Sequence, residues 1–349
     1  LRGRDPVLRL AQAAAQAGLV RSALDHLSGH TVETEGDGPI VAAEHWLALP
    51  PSERERTAVY ASGRNIRSAV NEAVQRGLQA NGEIGPEKIA LEVLDRVNST
   101  REESRYLAAY RPGMVLEVAK AERTLGLKRG EYSVRGIDEA KGVVRLRDDR
   151  GRQHAFRPAR MRKSGKDDNL ALFEPRQLEV HRGDRIRWTR NDHRRRLFNA
   201  DRARVVSIER DRVTVETTNG EQFQLREGDP MLKRIDLAYA LNAHMAQGLT
   251  SDRGIAVMDS RERNLSNQKT FLVTVTRLRD HLTLVVDSGD KLAGSVARNV
   301  GEKASALEVT GRLASAAARG TAHGDDLRRL AEPEREFSRQ KAKSVDIGL

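Results

Sequence analysis

Residues 57–71 read TAVYASGRNIRSAVN, and this stretch decides the fold class. Thr57–Ala61 is a short apolar run rich in strand formers. Gly63 interrupts it. Ile66, Val70, Val74 and Leu78 then recur every four residues, which predicts a helix over 65–80. Strand, short polar turn and helix make the basic α/β unit. Toward the N-terminus, Pro6 can occupy a first helical turn. Val7, Leu8, Leu10, Ala11, Ala14 and Leu19 keep helical spacing, predicting helix over 6–28, and 31–38 reads as a loop. Toward the C-terminus, Pro86 opens a stretch where Ile89, Val93, Leu94 and Val97 also predict helix.

Beyond Pro112 the apolar period shortens toward two. Val115–Val118, Tyr132–Ile137, Val143–Leu146, His154–Phe156, Ile186–Thr189, Arg204–Ile208, Val213–Thr217 and Gln222–Leu225 all favour strands. Asp149-Arg150-Gly151 and Asn219-Gly220 supply hairpin turns. Many short strands joined by turns suggest a small barrel. After Pro230 the α/β pattern returns. Gly254–Met258, Phe271–Val275 and Leu282–Val286 read as strands, and Lys291–Val300 as helix. The fold class is therefore α/β, with a β module inserted between two α/β portions.

The chain has 349 residues, 61 Lys+Arg and 50 Asp+Glu, a net charge of +11. That length supports about two or three domains. Residues 141–215 carry 22 Lys+Arg against 11 Asp+Glu, so this block holds the whole excess. A basic β module on a neutral body points to a polyanionic partner. The alternative is that arginines merely solvate strand faces. With no Cys, disulfides, thiolate metal sites and Cys nucleophiles are excluded. No run approaches the ~20 apolar residues of a membrane span, so no membrane partner and a cytoplasmic location are expected. The nine His form no HExxH pair, and GxSxG does not occur, so no metal site or nucleophile elbow is expected.

Three segments carry specific signals: GDRIRWTRNDHRRRLFNAD at 183–201, DLAYALNAHMAQG at 236–248 and FLVTVTRLRDHLTLVVD at 271–287. RDPVLR at 4–9, YRPGMVLEV at 110–118 and NQKTFLVTVTRLRD at 267–280 support them. In this order they resemble the second motor domain of RecD-like superfamily 1 DNA helicases. The closest resemblance is to the helicase region of conjugative relaxases of the TraI/TrwC (MobF) type, and it extends to about residue 309. It implies a RecA-like second motor domain interrupted by a small SH3-like β-barrel insertion, with a helical C-terminal tail. The expected divisions are 1–30 as the end of the first motor domain or a linker helix, and 31–111 as the first part of domain 2A. The basic insertion, 2B, takes 112–230; the second part of 2A takes 231–290, and a helical, partly loose tail takes 291–349.

The resemblance also implies roles. Phosphoryl transfer spreads charge over the γ-phosphoryl oxygens, and an Arg from the opposing domain stabilises it. Arg277, after Thr276, matches that finger, and Arg279 is a second phosphate candidate. The alternative is simple pairing of either Arg with Asp280. Gln247 and Gly248 match the loop that links the nucleotide cleft to DNA, with His244 in a coupling role. Asn242 stands where Thr is common and can still donate to phosphate, while Met245 replaces a frequent small or basic residue, which weakens one contact. Ser62, Arg64 and Asn65 occupy a strand-to-helix turn where a DNA phosphate could bind; an ordinary helix cap by Ser62 or Asn65 is the equal alternative. Trp188 could stack on a base, yet the alternation of Ile186 and Trp188 with Arg185 and Arg187 favours a core position. Arg194, Arg195 and Arg196 are then the better phosphate contacts. Asn199-Ala200-Asp201-Arg202 departs from the family's Gly-containing turn.

The sequence has no GxxxxGK[ST] P-loop, and Lys163-Ser164-Gly165-Lys166 has the wrong order. No acidic magnesium-holding motif or relaxase segment is recognisable. The chain opens at Leu1 and reads as a piece of a longer protein, with Arg2 near a phosphate-sensing Arg of the first motor domain. The expectation is the C-terminal half of an ATP-dependent 5′-3′ DNA helicase of a conjugative relaxase. ATP and Mg belong to the complete protein, and neither should bind tightly to this chain alone. Single-stranded DNA, the first motor domain of the same or another chain, and the conjugation machinery are the expected partners. Competing readings are a non-catalytic nucleic-acid-binding module or remnant, and a fragment of a RecD-type repair helicase.

Overall fold

The computed structural model describes residues 4–61, 63–97, 99–161, 169–242, 251–262 and 266–299. In chain order the elements are α1 (Pro6–Gln16), α2 (Val20–His26), β1 (Thr31–Glu33), α3 (Gly38–Leu47), α4 (Pro51–Arg54), β2 (Thr57–Ala61), α5 (Arg64–Ala80) and β3 (Lys88–Arg96). The central strands are β4 (Val115–Val118), β5 (Gly130–Asp138), β6 (Val143–Asp148), β7 (Gln153–Phe156), β8 (Leu170–His181), β9 (Arg185–Trp188), β10 (Arg202–Glu209), β11 (Arg212–Thr217), β12 (Gln222–Arg226), β13 (Ile235–Leu237) and β14 (Ala240–Leu241). Then come β15 (Ser251–Met258), α6 (Gln268–Thr276), β16 (Leu278–Val286) and α7 (Gly289–Arg298). Among the described residues the chain forms two units, one of 4–93 with 177–299 and one of 94–176.

The first unit contains a parallel sheet in the order β1-β16-β15-β2-β14. Its strands are apolar on both faces, as parallel strands covered by helices must be. Val59, Ile255, Val257 and Val285 pack with residues of α3 and α5. Tyr60, Ala256, Met258, Leu284 and Val286 share a cluster with α1, α2, α6 and α7. The α/β unit expected at 57–80 is therefore present, and helices cover both sheet faces.

Several local expectations change. The helix over 6–28 breaks at Gly18, whose φ of +76° suits glycine. The loop at 31–38 contains β1, paired in parallel with β16. Lys88–Arg96 is a strand, because Leu91 and Val93 alternate with exposed neighbours and β8 pairs alongside. Phe271–Val275 lies in α6, started by Asn267, whose side chain accepts from Thr270 N at 2.8 Å.

The expected single β insertion at 112–230 is two antiparallel sheets. One has the order β3-β8-β4-β5-β6-β7, and the other, within the first unit, β12-β11-β10-β9-β13. Both follow one plan, shifted by about 70 residues. Each has a leading strand (β4 or β9) and an elbow closed by a bridge, Glu122 with Leu127 or Asp192 with Leu197. A three-stranded meander follows (β5–β7 or β10–β12), then a proline-led 3-10 turn at Pro158–Arg160 or Pro230–Arg234. The hairpins match in detail: Gly151 N donates to Asp148 O and Gly220 N to Thr217 O, both at 3.0 Å. Each elbow contains a left-handed residue, Gly126 at φ +69° and Arg196 at φ +56°. A repeated grammar of short strands and turns has no compositional seam, which is why the stretch reads as one module in sequence.

Candidate nucleotide and nucleic-acid site

Arg277 caps the carboxyl end of α6, immediately before β16. Its carbonyl accepts from Ser251 N at 3.2 Å, tying the junction to the start of β15. Its side chain is half-buried, and Nε is buried with no hydrogen-bond partner among the described residues. A buried donor in that state is costly and suits an anionic acceptor. Tyr60 lies close enough to feel the Arg277 charge, although burial dominates and raises its hydroxyl pKa. Asp280 does not take Arg277. Instead Arg4 Nε lies 3.4 Å from Asp280 Oδ1, and Arg56 donates to Asp252 at 2.8 Å. That hydrogen bond holds the Asp252 carboxyl below its usual range, with smaller help from Arg4 and Arg279. Arg279 thus sits in a mixed-charge surface network, and its backbone carbonyl accepts from Arg4 N and Asp5 N. Gln12, buried on α1, donates to the carbonyls of Val275 and Leu278 at 3.1 and 3.0 Å. It fixes the α6–β16 corner from behind. Nothing in the spacing of an alanine-rich helix announces that role.

A second constellation fixes β14, which leads toward the expected DNA-coupling loop. Asn71 on α5 donates to Leu237 O at 3.1 Å and accepts from Ala240 N at 2.7 Å, imitating a strand partner. Tyr239 donates to Asp184 Oδ1 at 2.7 Å, while Gln75 and His181 N donate to Asp184 Oδ2. Burial raises the Asp184 carboxyl pKa, and burial with Asp184 nearby raises that of Tyr239. Asn242 follows β14 and is half-buried. His244, Gln247 and Gly248 lie outside the described residues, as do Arg2 and Ser62.

At the amino end of α5, Gly63 holds the cap position with an extended backbone and no side chain. The carboxylate of Glu262 sits against it, leaving no room for a β-carbon. Burial raises the Glu262 pKa. The place expected for a DNA phosphate therefore already faces a carboxylate, a feature sequence separation conceals. Arg64 is half-buried and engaged, and Asn65 is exposed in the first turn rather than capping it.

In the second module Trp188 is fully buried beside Ile186, so a base cannot stack on it; the core alternative holds. Its neighbour Arg187 is buried too, 2.6 Å from Asp236. Arg195 also departs from expectation. Its guanidinium donates to both carboxylate oxygens of Asp229, at 3.0 and 2.6 Å, so it is a structural fork rather than a free phosphate contact. Arg194 and Arg196 remain exposed, near exposed Phe198 and His193, whose rings meet edge-on at 5.9 Å. Among the described residues no three His, Cys, Asp or Glu side chains group as metal ligands. No described helix is long and apolar enough to cross a membrane.

Residues 93–180 match the family described as the DNA relaxase TraI 2B/2B-like domain. Two curated relatives are multifunctional conjugation proteins TraI from Escherichia coli. One is 25% identical over 265 residues, covering 73% of this chain and 14% of that protein. The other, from strain K12, is 25% identical over 245 residues, covering 68% and 13%. The chain spans about a seventh of the length of these relatives. Similar solved structures include Bacteroides Pif1 bound to ssDNA, at 12% identity and TM-score 0.39, covering 92% of this chain and 56% of that one. Pif1 helicase from Candida albicans gives 11% identity and TM-score 0.38, covering 91% and 59%. The family match lies on the first of the two antiparallel modules, so the 2B/2B-like segment precedes the RWTRND stretch. These sequence matches make the chain similar to TraI over about 70% of its length, with residues 93–180 matching the TraI 2B/2B-like domain.

Proposed function

We propose that this chain is the C-terminal half of an ATP-dependent DNA helicase that moves 5′ to 3′ on single-stranded DNA within a conjugative relaxase. The observation that carries the reading is Arg277, whose buried Nε at the α6–β16 corner of a parallel-sheet unit has no partner among the described residues. ATP with Mg, bound by the first motor domain of the same or another chain, supplies the phosphoanhydride to be cleaved. Arg277 then offers its guanidinium to the γ-phosphoryl oxygens, and Gln12 and Ser251 keep the corner in place. Arg279 and Arg2 are assigned to the outer phosphates. Gln247 and Gly248 face the nucleotide, while Asn242 and His244 relay its state to DNA. Ser62, Arg64 and Asn65 hold a backbone phosphate at α5, once Glu262 yields the position. Arg194 and Arg196 contact DNA from the second module. Both antiparallel modules are read as SH3-like insertions, 291–349 as a helical tail, and the protein as cytoplasmic, working beside conjugation machinery.

In the complete protein, Arg277→Ala should cut DNA-stimulated ATP hydrolysis by about 10³-fold or more, the range of arginine-finger losses. Nucleotide affinity should change far less. Hydrolysis within about fivefold of wild type would remove Arg277 from the reaction.

A further inference from the structure

Arg277 sits between α6 and β16, and the carbonyls around it are held from outside that corner. Val275 and Leu278 offer theirs to the two N–H bonds of the Gln12 amide, at 3.1 and 3.0 Å. The Arg277 carbonyl accepts from Ser251 N, and that of Arg279 from Arg4 N and Asp5 N. Four carbonyls within 275–279 are therefore fixed, and three of the four answer to residues 4–12. The last carbonyls of a helix find no partner within it, and a buried one left unbonded is costly. Gln12 is fully buried and serves two of them through one nitrogen. Ala11, Ala14 and Ala15 flank it, buried in the cluster that also holds Phe271, Val275 and Leu278. Such small side chains let α1 lie close to α6, which brings the amide within reach.

A guanidinium stabilises a transition state only from the right place, and an error of about 1 Å can cost about 10²-fold in rate. The Arg277 Nε has no hydrogen-bond partner among the described residues, so the placement of its backbone aims the side chain. We propose that Gln12 is a positioning residue for Arg277. Its amide joins α1 to the corner that carries the finger, so a shift of α1 carries Arg277 with it. The assignment rests on the arginine-finger reading above and adds to it a means of control. The helix at the start of this unit sets whether the finger is in register with the phosphoryl group. Arg4 and Asp5 extend the same hold past the finger to Arg279. Ser251 holds the corner from β15, so α1 and the sheet grip it from two sides.

The test is DNA-stimulated ATP hydrolysis by the complete protein, comparing wild type, Gln12→Leu, Arg277→Ala and the double variant. Leu is close to Gln in volume, so it keeps the α1–α6 packing while losing both donors. Gln12→Leu should lower kcat by about ten- to a hundredfold and leave KM for ATP within about twofold. In the double variant it should add less than about twofold to the loss from Arg277→Ala, because a misplaced finger and an absent one fail at the same step. Gln12→Glu gives a second reading, which decides alone if the Leu variant does not fold. A buried carboxyl stays protonated to higher pH, and its one O–H keeps one of the two bonds. Its kcat relative to wild type should fall between about pH 6 and about pH 9, with no such fall in the Arg277→Ala background. Without nucleotide, amide exchange across 275–280 should quicken in Gln12→Leu while that of β9–β12 stays at the wild-type rate. Losses that multiply in the double variant, unchanged exchange at 275–280, or wild-type kcat in Gln12→Leu beside an impaired Arg277→Ala each overturn the positioning role and leave the finger standing. Arg277→Ala at near wild-type activity overturns both.

Discussion

The module at 113–161 and the module at 183–234 share a chain path but not a chemistry. The second buries charge. Arg187 and Asp236 meet inside it, Asp184 accepts three hydrogen bonds at its first turn, and Arg195 closes on Asp229. The first places Glu117, Met114 and Leu125 at the corresponding positions and leaves its cations outside. A backbone plan built on strand pairing and turns therefore tolerates either an apolar or an ion-paired interior. The lesson is that the repeated path specifies the fold, while the exchanged side chains decide what each copy can bind.

The sharpest way to break this contrast is to remove one half of the buried pair. Asp236→Ala leaves Arg187 charged and buried, which should cost about 3–5 kcal/mol in urea unfolding. Glu117→Ala, at the half-exposed place that matches Arg187 in the other module, should cost below about 1 kcal/mol. Equal costs would mean the second module's charge is not buried in solution. Next comes the corner where each elbow meets its proline-led turn. Asp229→Ala loses the fork to Arg195 and the acceptor for Met231 N at 2.9 Å, an expected loss of about 2 kcal/mol. Arg157→Ala, at the matching place before Pro158, should stay within about 0.5 kcal/mol, as exposed positions do.

A smaller, opposite-signed pair lies at the elbows. Arg196 holds a left-handed backbone that glycine adopts freely, so Arg196→Gly should stabilise by about 0.5 kcal/mol. Gly126→Ala should destabilise by about 1 kcal/mol, although nothing lies within 4 Å of its added carbon. Chemical melts of both would show the sign directly. The smallest effect is in acid. Asp184 has a raised carboxyl pKa, so its contribution is full below the unfolded value of 3.8 and is lost as pH rises through the folded pKa. Asp148 in the first module is lowered, chiefly by its hydrogen bond with His154 at 2.8 Å. Its contribution is present above 3.8 and is lost as pH falls through the depressed pKa. Melts of Asp148→Ala and Asp184→Ala between about pH 6 and pH 2.5 should therefore diverge from wild type in opposite directions.

Much of the parallel-sheet unit was legible in sequence. The helix over 65–80, the strand at 57–61 and the hairpin turns at 148–151 and 217–220 follow from local periodicity and turn chemistry. Some misreadings had local causes, the break at Gly18 and the Asn267 cap of α6, while others depend on a distant partner. Ile89, Val93 and Val97 fit helical spacing, and only pairing with β8 makes that stretch a strand. The engagement of Arg195 depends on Asp229, 34 residues away, whereas the core position of Trp188 followed from strand alternation. Arg277 is singled out by a motif, whereas Gln12 and Asn71, which hold the surrounding corners, are ordinary helix residues by pattern. Their roles appear only once the helices meet carbonyls of Val275, Leu278 and Leu237.

The 94–176 unit joins the rest of the chain through β3 and β8, which lie side by side. Arg182 N donates to Glu87 O, and Val97 N to Leu172 O, so the two strands run in opposite directions. Entry and exit are thus one strand spacing apart, roughly 5 Å. A two-residue turn could join the strands and excise the whole unit without rethreading any other element. Such a doorway makes the segment a cassette: lineages could gain, lose or exchange it by a single recombination event, while the parallel sheet and its Arg277 corner are inherited intact.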